Sequence, residues 1–316
     1  MAFLENKRIV ITGSTGFFGK ALMETMHNYG VDRNNEIIGV RSKDFDLRDL
    51  KSAVRALEDA DVVINLAANV GGIGYNQKYP ASLFLDNILI GINVVESARI
   101  NEVEKLVQIG TVCSYPKVPP HIPFRETDLW EGFPEETNAP YGIAKKSLIT
   151  MGDAYRAQYG LNVINLLLVN LYGSGDNFDE QNSHVIPAMV KKFSYAKRTG
   201  SNEVLLWGTG NASREFIYVT DAATGVILAT EKYNERSPLN IGSGKEITIH
   251  ELAEMIANIV GYKGKIVWDK SMPDGQPRRL LDISLARKKI GFNPQTDFET
   301  GLRAVITYYQ NLSGID

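Results

Sequence analysis

The 316-residue sequence has one cysteine, Cys113, so it can build no intrachain disulfide, and that scarcity fits a reducing compartment. Cys113 is therefore either inert filler or chemistry. No sign of charge dominates: 34 Lys and Arg face 37 Asp and Glu, for a net charge of −3. A nucleic-acid binder normally carries a clear positive excess on one face. The densest basic group here, Lys191, Lys192, Lys197 and Arg198, is too sparse for a duplex footprint and reads as a solvated helix face. Long hydrophobic runs are missing as well, none approaching the roughly 20 residues of a membrane span. Residues 1–8 lead straight into a strand without the apolar stretch of a signal peptide. A cytoplasmic protein with no nucleic-acid or membrane partner is expected. Repeats and low-complexity linkers are also lacking. What is present is ordinary folded composition, 44% apolar and 22% charged, in a chain longer than one core usually serves. Two lobes or one enlarged α/β domain are the starting options.

The first 170 residues alternate. Arg8–Thr12, Glu36–Val40, Asp61–Ala68, Lys105–Ile109 and Asn162–Asn170 read as strands. Lys20–Asn28, Leu50–Leu57, Ser82–Arg99 and Tyr141–Tyr159 read as the helices between them. Asp61–Ala68 is a continuous apolar run, as expected of a strand buried on both faces. Such alternation implies a doubly wound parallel sheet with helices on both sides, a Rossmann-like α/β fold. The rhythm then breaks into a Gly- and Asn-rich loop, a helix near Pro187–Lys197 and a short strand Val204–Trp207. Arg214–Val219 and Pro238–Ile241 read as a return to the main sheet. Thr248 and Glu251 are spaced as a capping box opening a helix that ends near Val260. A strand, a Pro/Arg-rich loop and two short helices follow. The expected organisation is a dinucleotide-binding domain from 1–171 and 214–242, and a smaller, partly discontinuous α/β substrate lobe from 172–213 and 243–316, with a cleft between them.

Gly13, Gly16 and Gly19 fall at the first strand-to-helix turn, where missing Cβ atoms let backbone approach a pyrophosphate at the helix N-terminus. The spacing is GxxGxxG, and turns alone also demand glycine; its place between a strand and a helix favours a cofactor. The second strand ends at Val40, where an acidic residue would hold the ribose hydroxyls of NAD. Arg41 and Lys43 stand there instead and suit a 2′-phosphate, with Asp44 and Asp46 close by. Tyr141 and Lys145 are four apart on one helix face. A neighbouring ammonium favours the phenolate, and lowering a tyrosine from about 10 to near 7 takes roughly 4 kcal/mol. With the hydroxyl of Thr111 at the end of the preceding strand, the set reads as a hydride-transfer site. NADPH delivers hydride to a carbonyl carbon, Tyr141 a proton to its oxygen, and Thr111 orients that oxygen.

These residues and the chain length resemble the extended short-chain dehydrogenase/reductases. Val70-Gly-Gly-Ile, Gly110-Thr-Val-Cys-Ser-Tyr-Pro-Lys117, Asn170-Leu-Tyr-Gly, Asp176-Asn-Phe, Asn182-Ser-His-Val-Ile-Pro187, Trp207-Gly-Thr-Gly, Arg214-Glu-Phe and Pro273-Asp-Gly-Gln-Pro-Arg278 narrow the likeness to the GDP-L-fucose synthase branch, nearly end to end. The resemblance implies an NADPH-dependent epimerase/reductase that inverts C3 and C5 of a GDP-4-keto-6-deoxy sugar and then reduces C4. Protons flanking a ketone are acidic, and each inversion needs one group to remove a proton and another to return it on the opposite face. The matching positions are Cys113 and His184, whose free side chains bracket neutral pH; which is acid and which base stays open.

The same resemblance places NADP(H) against Gly13, Gly16, Phe17, Phe18, Gly19, Arg41, Asp46, Leu47, Ala67, Tyr141, Lys145 and His184. It places the sugar nucleotide against Asn170, Asn182, Lys192, Trp207, Arg214 and Arg279. Cations there suit a pyrophosphate, and Arg214 between two apolar stretches is hard to explain without an anion. A homodimer through Ser82–Arg99 and Tyr141–Tyr159 is also implied. Bland readings stand beside these: Cys113 alone would be packing, His184 a helix-opening residue, and Trp207 core. His250 sits inside the capping box, His27 closes the first helix where a cation offsets the dipole, and His121 lies in a Pro-rich loop. The sequence departs from the branch pattern at Thr111, Val112 and Asn69, and at Lys192 and Arg279 the charge is kept but the type changed. A related GDP-sugar, such as a 6-deoxyheptose or colitose precursor, stays open. So do a C4 reductase without epimerisation and a non-catalytic NADP sensor, although a sensor has no need of Tyr141 and Lys145.

Overall fold

Short β-branched and leucine-rich segments separated by amphipathic ones give alternating strands and helices, and the computed structural model describes residues 2–179 and 183–314. In chain order the first part is β1 (Arg8–Thr12), α1 (Phe17–Asn28), β2 (Glu36–Val40), α2 (Leu50–Ala56), β3 (Val62–Asn65), α3 (Ile73–Lys78), α4 (Pro80–Ile100), β4 (Lys105–Thr111), α5 (Ala139–Tyr159) and β5 (Asn162–Leu168). The second part is β6 (Asn170–Tyr172), α6 (Val185–Thr199), β7 (Glu203–Trp207), β8 (Ser213–Tyr218), α7 (Val219–Lys232), β9 (Leu239–Ile241), β10 (Glu246–Thr248), α8 (Ile249–Val260), β11 (Lys265–Asp269), α9 (Ser284–Ile290) and α10 (Phe298–Ser313).

The main sheet is parallel throughout, in the order β2-β1-β3-β4-β5-β9. The chain leaves β1 toward β2 and then crosses back to β3, so the switch point lies between β1 and β3. Ligands of such sheets sit outside the strand C-termini at that point. A row of polar side chains crosses the sheet there. Thr12, Asn65, Gln108 and Asn165 are register neighbours and all buried. Thr12 Oγ1 lies 2.6 Å from Asn65 Oδ1, and Asn65 Nδ2 donates to Gln108 Oε1 at 2.6 Å. The apolar run expected over Asp61–Ala68 is therefore a strand only to Asn65. Beyond it the Ala67 N–H turns to Thr12 Oγ1 (3.1 Å), fixing the chain's exit at the switch point.

Two other expectations are corrected. The single strand expected over Asn162–Asn170 is two: β5 stays in the main sheet, and β6 pairs with β8 in a second, three-stranded sheet of order β10-β8-β6. Arg214–Val219 accordingly does not return to the main sheet, because β9 already occupies the position beside β5. Within β8, alternation sends Ile217 into the core beneath the main sheet and Phe216 into a second core. That second core is the packing of α6, α8 and α10, with Phe193, Leu252, Ile256 and Leu302 at its centre. Thr248 and Glu251 form the expected capping box of α8, their side chains bonding each other's backbone N–H.

The 21-residue α4 is long and apolar enough to cross a membrane by length and composition alone, contrary to the expectation that no segment approaches that length. In the fold it lies beside α5 and is nearly half buried. Its Asp86 meets Arg48 at 3.2 Å, and its Glu96 meets Arg99 at 2.6 Å.

Candidate active site

The glycine turn is built by sterics. Gly13 has φ +67°, and a Cβ there would lie 3.0 Å from the Ala67 nitrogen. A Cβ on Gly19 would collide with the Gly13 carbonyl oxygen and lie 2.6 Å from Ser14 Cα. Helix α1 then starts with Gly16 as N-cap, without a side-chain cap and with no acidic residue in its first turn. Its leading N–H groups are left for an anion, and this cradle fits a dinucleotide pyrophosphate. Phe18 packs on the main core, and Phe17 reaches to Gly173, where a Cβ would lie 3.5 Å from its ring. Leu47 is buried.

At the end of β2, Arg41 is exposed and its Nε is held by Asp44 at 2.5 Å. Asp46 is engaged by Arg48 at 2.9 Å. The acids that competed for this position are thus both paired with arginines. Asn69, where the sequence departs from the branch pattern, is tied down on all sides. It bonds Asn87 through its backbone N–H, Asp86 through Nδ2 and the Tyr75 hydroxyl through Oδ1, at 3.0–3.1 Å.

Thr111 ends β4 and caps a single 3₁₀ turn, Val112–Ser114, its Oγ1 accepting the Cys113 N–H at 3.2 Å. That turn rests on the first turn of α5. A Cβ on Gly142 would strike the Cys113 carbonyl oxygen, and Ser114 Oγ donates to the Gly142 carbonyl at 3.0 Å. The small residue after Tyr141 thereby brings Thr111 and Cys113 to the base of the Tyr141/Lys145 helix. The expected lowering of the tyrosine is not what the protein alone does. Burial pushes the Tyr141 phenol well above its usual range, with the Cys113 charge adding to it. Burial also pulls Lys145 down to about 8, so desolvation sets the shift of both groups.

His184 stands just ahead of α6, exposed, as the residue preceding its first turn. Its neighbour in charge is Asp176, a buried carboxylate that accepts the Asn177 N–H at 2.7 Å through Oδ1 and, among the described residues, has no hydrogen-bond partner on Oδ2. Burial raises Asp176, and the charge of His184 opposes that rise. A Cβ on Gly72, in the Val70-Gly-Gly-Ile string, would lie 2.9 Å from the Ser183 carbonyl oxygen, which seats that string against the segment carrying His184. The other histidines have structural company: His27 with Asp32 (2.5 Å), His121 with the buried Asp128 (2.8 Å) and His250 stacked on Trp268.

Of the expected substrate residues, Asn182 lies outside the described residues. Trp207 is 50% exposed and faces Gly74, where a Cβ would lie 3.7 Å from its ring, so it is not core. Lys192 donates to the Leu205 carbonyl at 3.0 Å. The Asn170 amide donates to the Glu215 carbonyl at 2.8 Å and ties β6 to β8. Arg214 needs no anion to account for it. Buried, it donates to the carbonyls of Ser213 (2.7 Å), Gln276 (2.6 Å) and Asp274 (2.8 Å), and burial brings its pKa down to about 9. Arg279, also buried, turns to the 3₁₀ turn, donating to Gln276 Oε1 at 2.9 Å and approaching Cys113 Sγ at 3.5 Å.

Four participants had no role assigned from sequence. Asp274 and Gln276 lie in the quoted Pro273–Arg278 string, a signal for the loop without one for its chemistry. Asp274 takes both the N–H and the hydroxyl of Thr209 at 2.7 Å, and Gln276 donates to the carbonyls of Pro116 and Lys117 at 3.0 Å. Glu135 and Asn76 carry no local signal at all. Glu135 accepts from Thr137 and Asn138, and Asn138 accepts from Asn76 at 3.0 Å.

Comparison with known proteins bears on this geometry directly. The model of the NAD dependent epimerase/dehydratase family matches residues 9–242. The probable GDP-L-fucose synthase 1 of Oryza sativa subsp. japonica is 38% identical over 312 residues, covering 98% of this chain and 94% of that relative. Among solved structures, a GDP-6-OMe-4-keto-L-xylo-heptose reductase from C. jejuni superposes with a TM-score of 0.90 at 28% identity, covering 97% of this chain and 98% of that one. The NADP-bound GDP-L-fucose synthetase of Naegleria fowleri gives a TM-score of 0.87 at 27% identity, over 98% and 96% of the two chains. With such a relative matched along nearly its whole length, the chain belongs to the NAD dependent epimerase/dehydratase family and, within it, to the GDP-L-fucose synthase group.

Proposed function

We propose that the protein is an NADPH-dependent epimerase/reductase that converts GDP-4-keto-6-deoxymannose to GDP-L-fucose. The observation that carries this reading is the junction of the 3₁₀ turn with α5, which brings the segments bearing a hydroxyl, a thiol, a phenol and a buried lysine together at the C-terminal end of β4. Bound NADPH supplies the hydride for C4. The raised Tyr141 phenol holds its proton at neutral pH, as a donor to a developing C4 oxyanion must. Thr111 accepts the Cys113 N–H and so keeps its own O–H for the same oxygen. Lys145, lowered to about 8, is still mostly an ammonium at neutral pH, so its charge is available to a cofactor ribose and to tyrosine. Cys113 and His184 exchange the protons at C3 and C5. We assign the dinucleotide to 1–171 and 214–242 and the sugar nucleotide to 172–213 and 243–316, with β8 bridging the two cores.

The apolar side chains left exposed on α4 and α5, among them Leu85, Ile92 and Tyr159, support a homodimer through these helices. A cytoplasmic location fits a nucleotide-sugar enzyme.

A second reading, C4 reduction alone on a related GDP-heptose, is favoured by the likeness to the C. jejuni reductase. Turnover of GDP-4-keto-6-deoxymannose with NADPH in deuterated water decides between them by NMR of the product. Deuterium at C3 and C5 is expected. Turnover without it would leave a reductase and remove Cys113 and His184 from the chemistry, and absence of turnover would point to the heptose.

A further inference from the structure

Two guanidinium groups are buried near one thiol. Arg279 is only 6% exposed, so little of it is left to meet a substrate phosphate. Its Nε is clamped by Gln276 Oε1 at 2.9 Å, and the Gln276 amide is itself fixed by the carbonyls of Pro116 and Lys117 at 3.0 Å, three and four residues beyond Cys113. That clamp aims Nη1 at Cys113 Sγ, 3.5 Å away. Among the described residues Arg279 makes no ion pair. Arg214 lies near enough for the two cations to oppose each other, and near enough to Cys113 for a negative sulfur to favour its charge.

Among the described residues, two carboxylates act on this group. Although burial works against its ionisation, hydrogen bonds from Thr137 and Asn138 and the charge of Arg279 hold Glu135 below the usual range. Asp274 acts on Arg214 and commits both oxygens to Thr209. Tyr141, the other titratable neighbour of the sulfur, is kept neutral by burial. A buried guanidinium donor without a carboxylate in contact is costly. A neutral thiol is a weak acceptor, whereas a thiolate accepts a charge-assisted hydrogen bond.

We propose that Arg279 is the positioning residue of Cys113, its guanidinium holding the sulfur as a thiolate in the resting enzyme, with Gln276 fixing its aim. The thiol proton passes to solvent as the Nη1 donor takes up the sulfur lone pair. The proposal rests on the reading of Cys113 as a proton-exchanging group. Cys113 is the sole cysteine, so alkylation of the full-length protein by iodoacetamide reports on it alone. Arg279→Gln is expected to slow alkylation at pH 7 about tenfold, the factor that one unit of upward shift in the alkylation profile gives. GDP affinity, read by calorimetry, is expected to change less than about twofold. Gln276→Met leaves the guanidinium in place but unclamped, and is expected to slow alkylation about threefold; it decides the matter if Arg279→Gln does not fold. Unchanged alkylation profiles would overturn the proposal, and unchanged profiles with GDP affinity down tenfold would make Arg279 a substrate anchor instead. Cys113→Ala with full turnover and deuterium at C3 and C5 would instead overturn the proton-exchange reading, and the alkylation result would stand apart from it.

Discussion

The glycine turn and the surroundings of Cys113 handle charge by opposite means. The turn uses backbone: three glycines within seven residues, an uncapped helix end and no acid in the first turn. The Cys113 region uses side chains drawn from residues 76 to 279, joined through Asn76, Asn138, Glu135, Gln276, Arg214 and Arg279. A backbone site is made by what is missing, and it works as soon as its strand and helix form. A side-chain site in low dielectric depends on every partner, because an unpaired member costs more than a pair contributes. The first is local and sterically brittle. The second is long-range and electrostatically brittle.

The largest effect is expected where the two regions meet. Tyr141→Phe should lower NADPH oxidation about 10³-fold, the scale of a lost general acid, while NADPH binding by fluorescence titration persists. Turnover near the parent rate would show that the proton comes from elsewhere.

Next is Glu215, fully buried under the Gly242–Gly244 and Leu281 backbone, where burial pushes its carboxyl up to about 7. The folded protein holds this proton more tightly than the unfolded chain. Its contribution to stability is therefore complete below about pH 4.5 and is lost as pH rises through 7. The span is about 3 kcal/mol, so denaturant unfolding of Glu215→Gln should be flatter than the parent between those values; parallel curves would remove Glu215 as the cause.

A smaller loss is expected from Gly19→Ala, about 2 kcal/mol of stability for forcing a Cβ into backbone, with NADPH affinity down more than tenfold. Gly16→Ala should be milder, since its nearest atom is 3.3 Å away. Equal losses at the two positions would argue against a steric origin for the turn. The smallest is Thr209→Val, which removes one of the two bonds to Asp274. About 1 kcal/mol of stability is expected, read by thermal unfolding, with NADPH affinity unchanged; a drop in that affinity would couple the regions held distinct here.

Legibility follows the same division. The glycine turn, the Tyr141/Lys145 pair and the strands β1 and β2 are short-range patterns, and they stand where the sequence puts them. Arg214 reads differently in isolation because three carbonyls that satisfy it come from residues 213, 274 and 276. The strand β8 reads as a main-sheet strand because it is buried on both faces as main-sheet strands are, and only β9 in the competing position excludes it. Asn65 broke an apolar run for a reason visible only beside Thr12 and Gln108.

The sequence by itself determined the fold class, the glycine turn and the placing of Tyr141 and Lys145 on one helix face, because each is written in spacings of a few residues that a helix or turn converts directly into geometry. Tertiary structure alone decided the protonation of Tyr141 and Lys145, the partners of Arg214 and the turn of Arg279 toward Cys113. Desolvation depends on everything packed around a group, and a charge–charge contact depends on which distant segments the fold brings within a few ångströms.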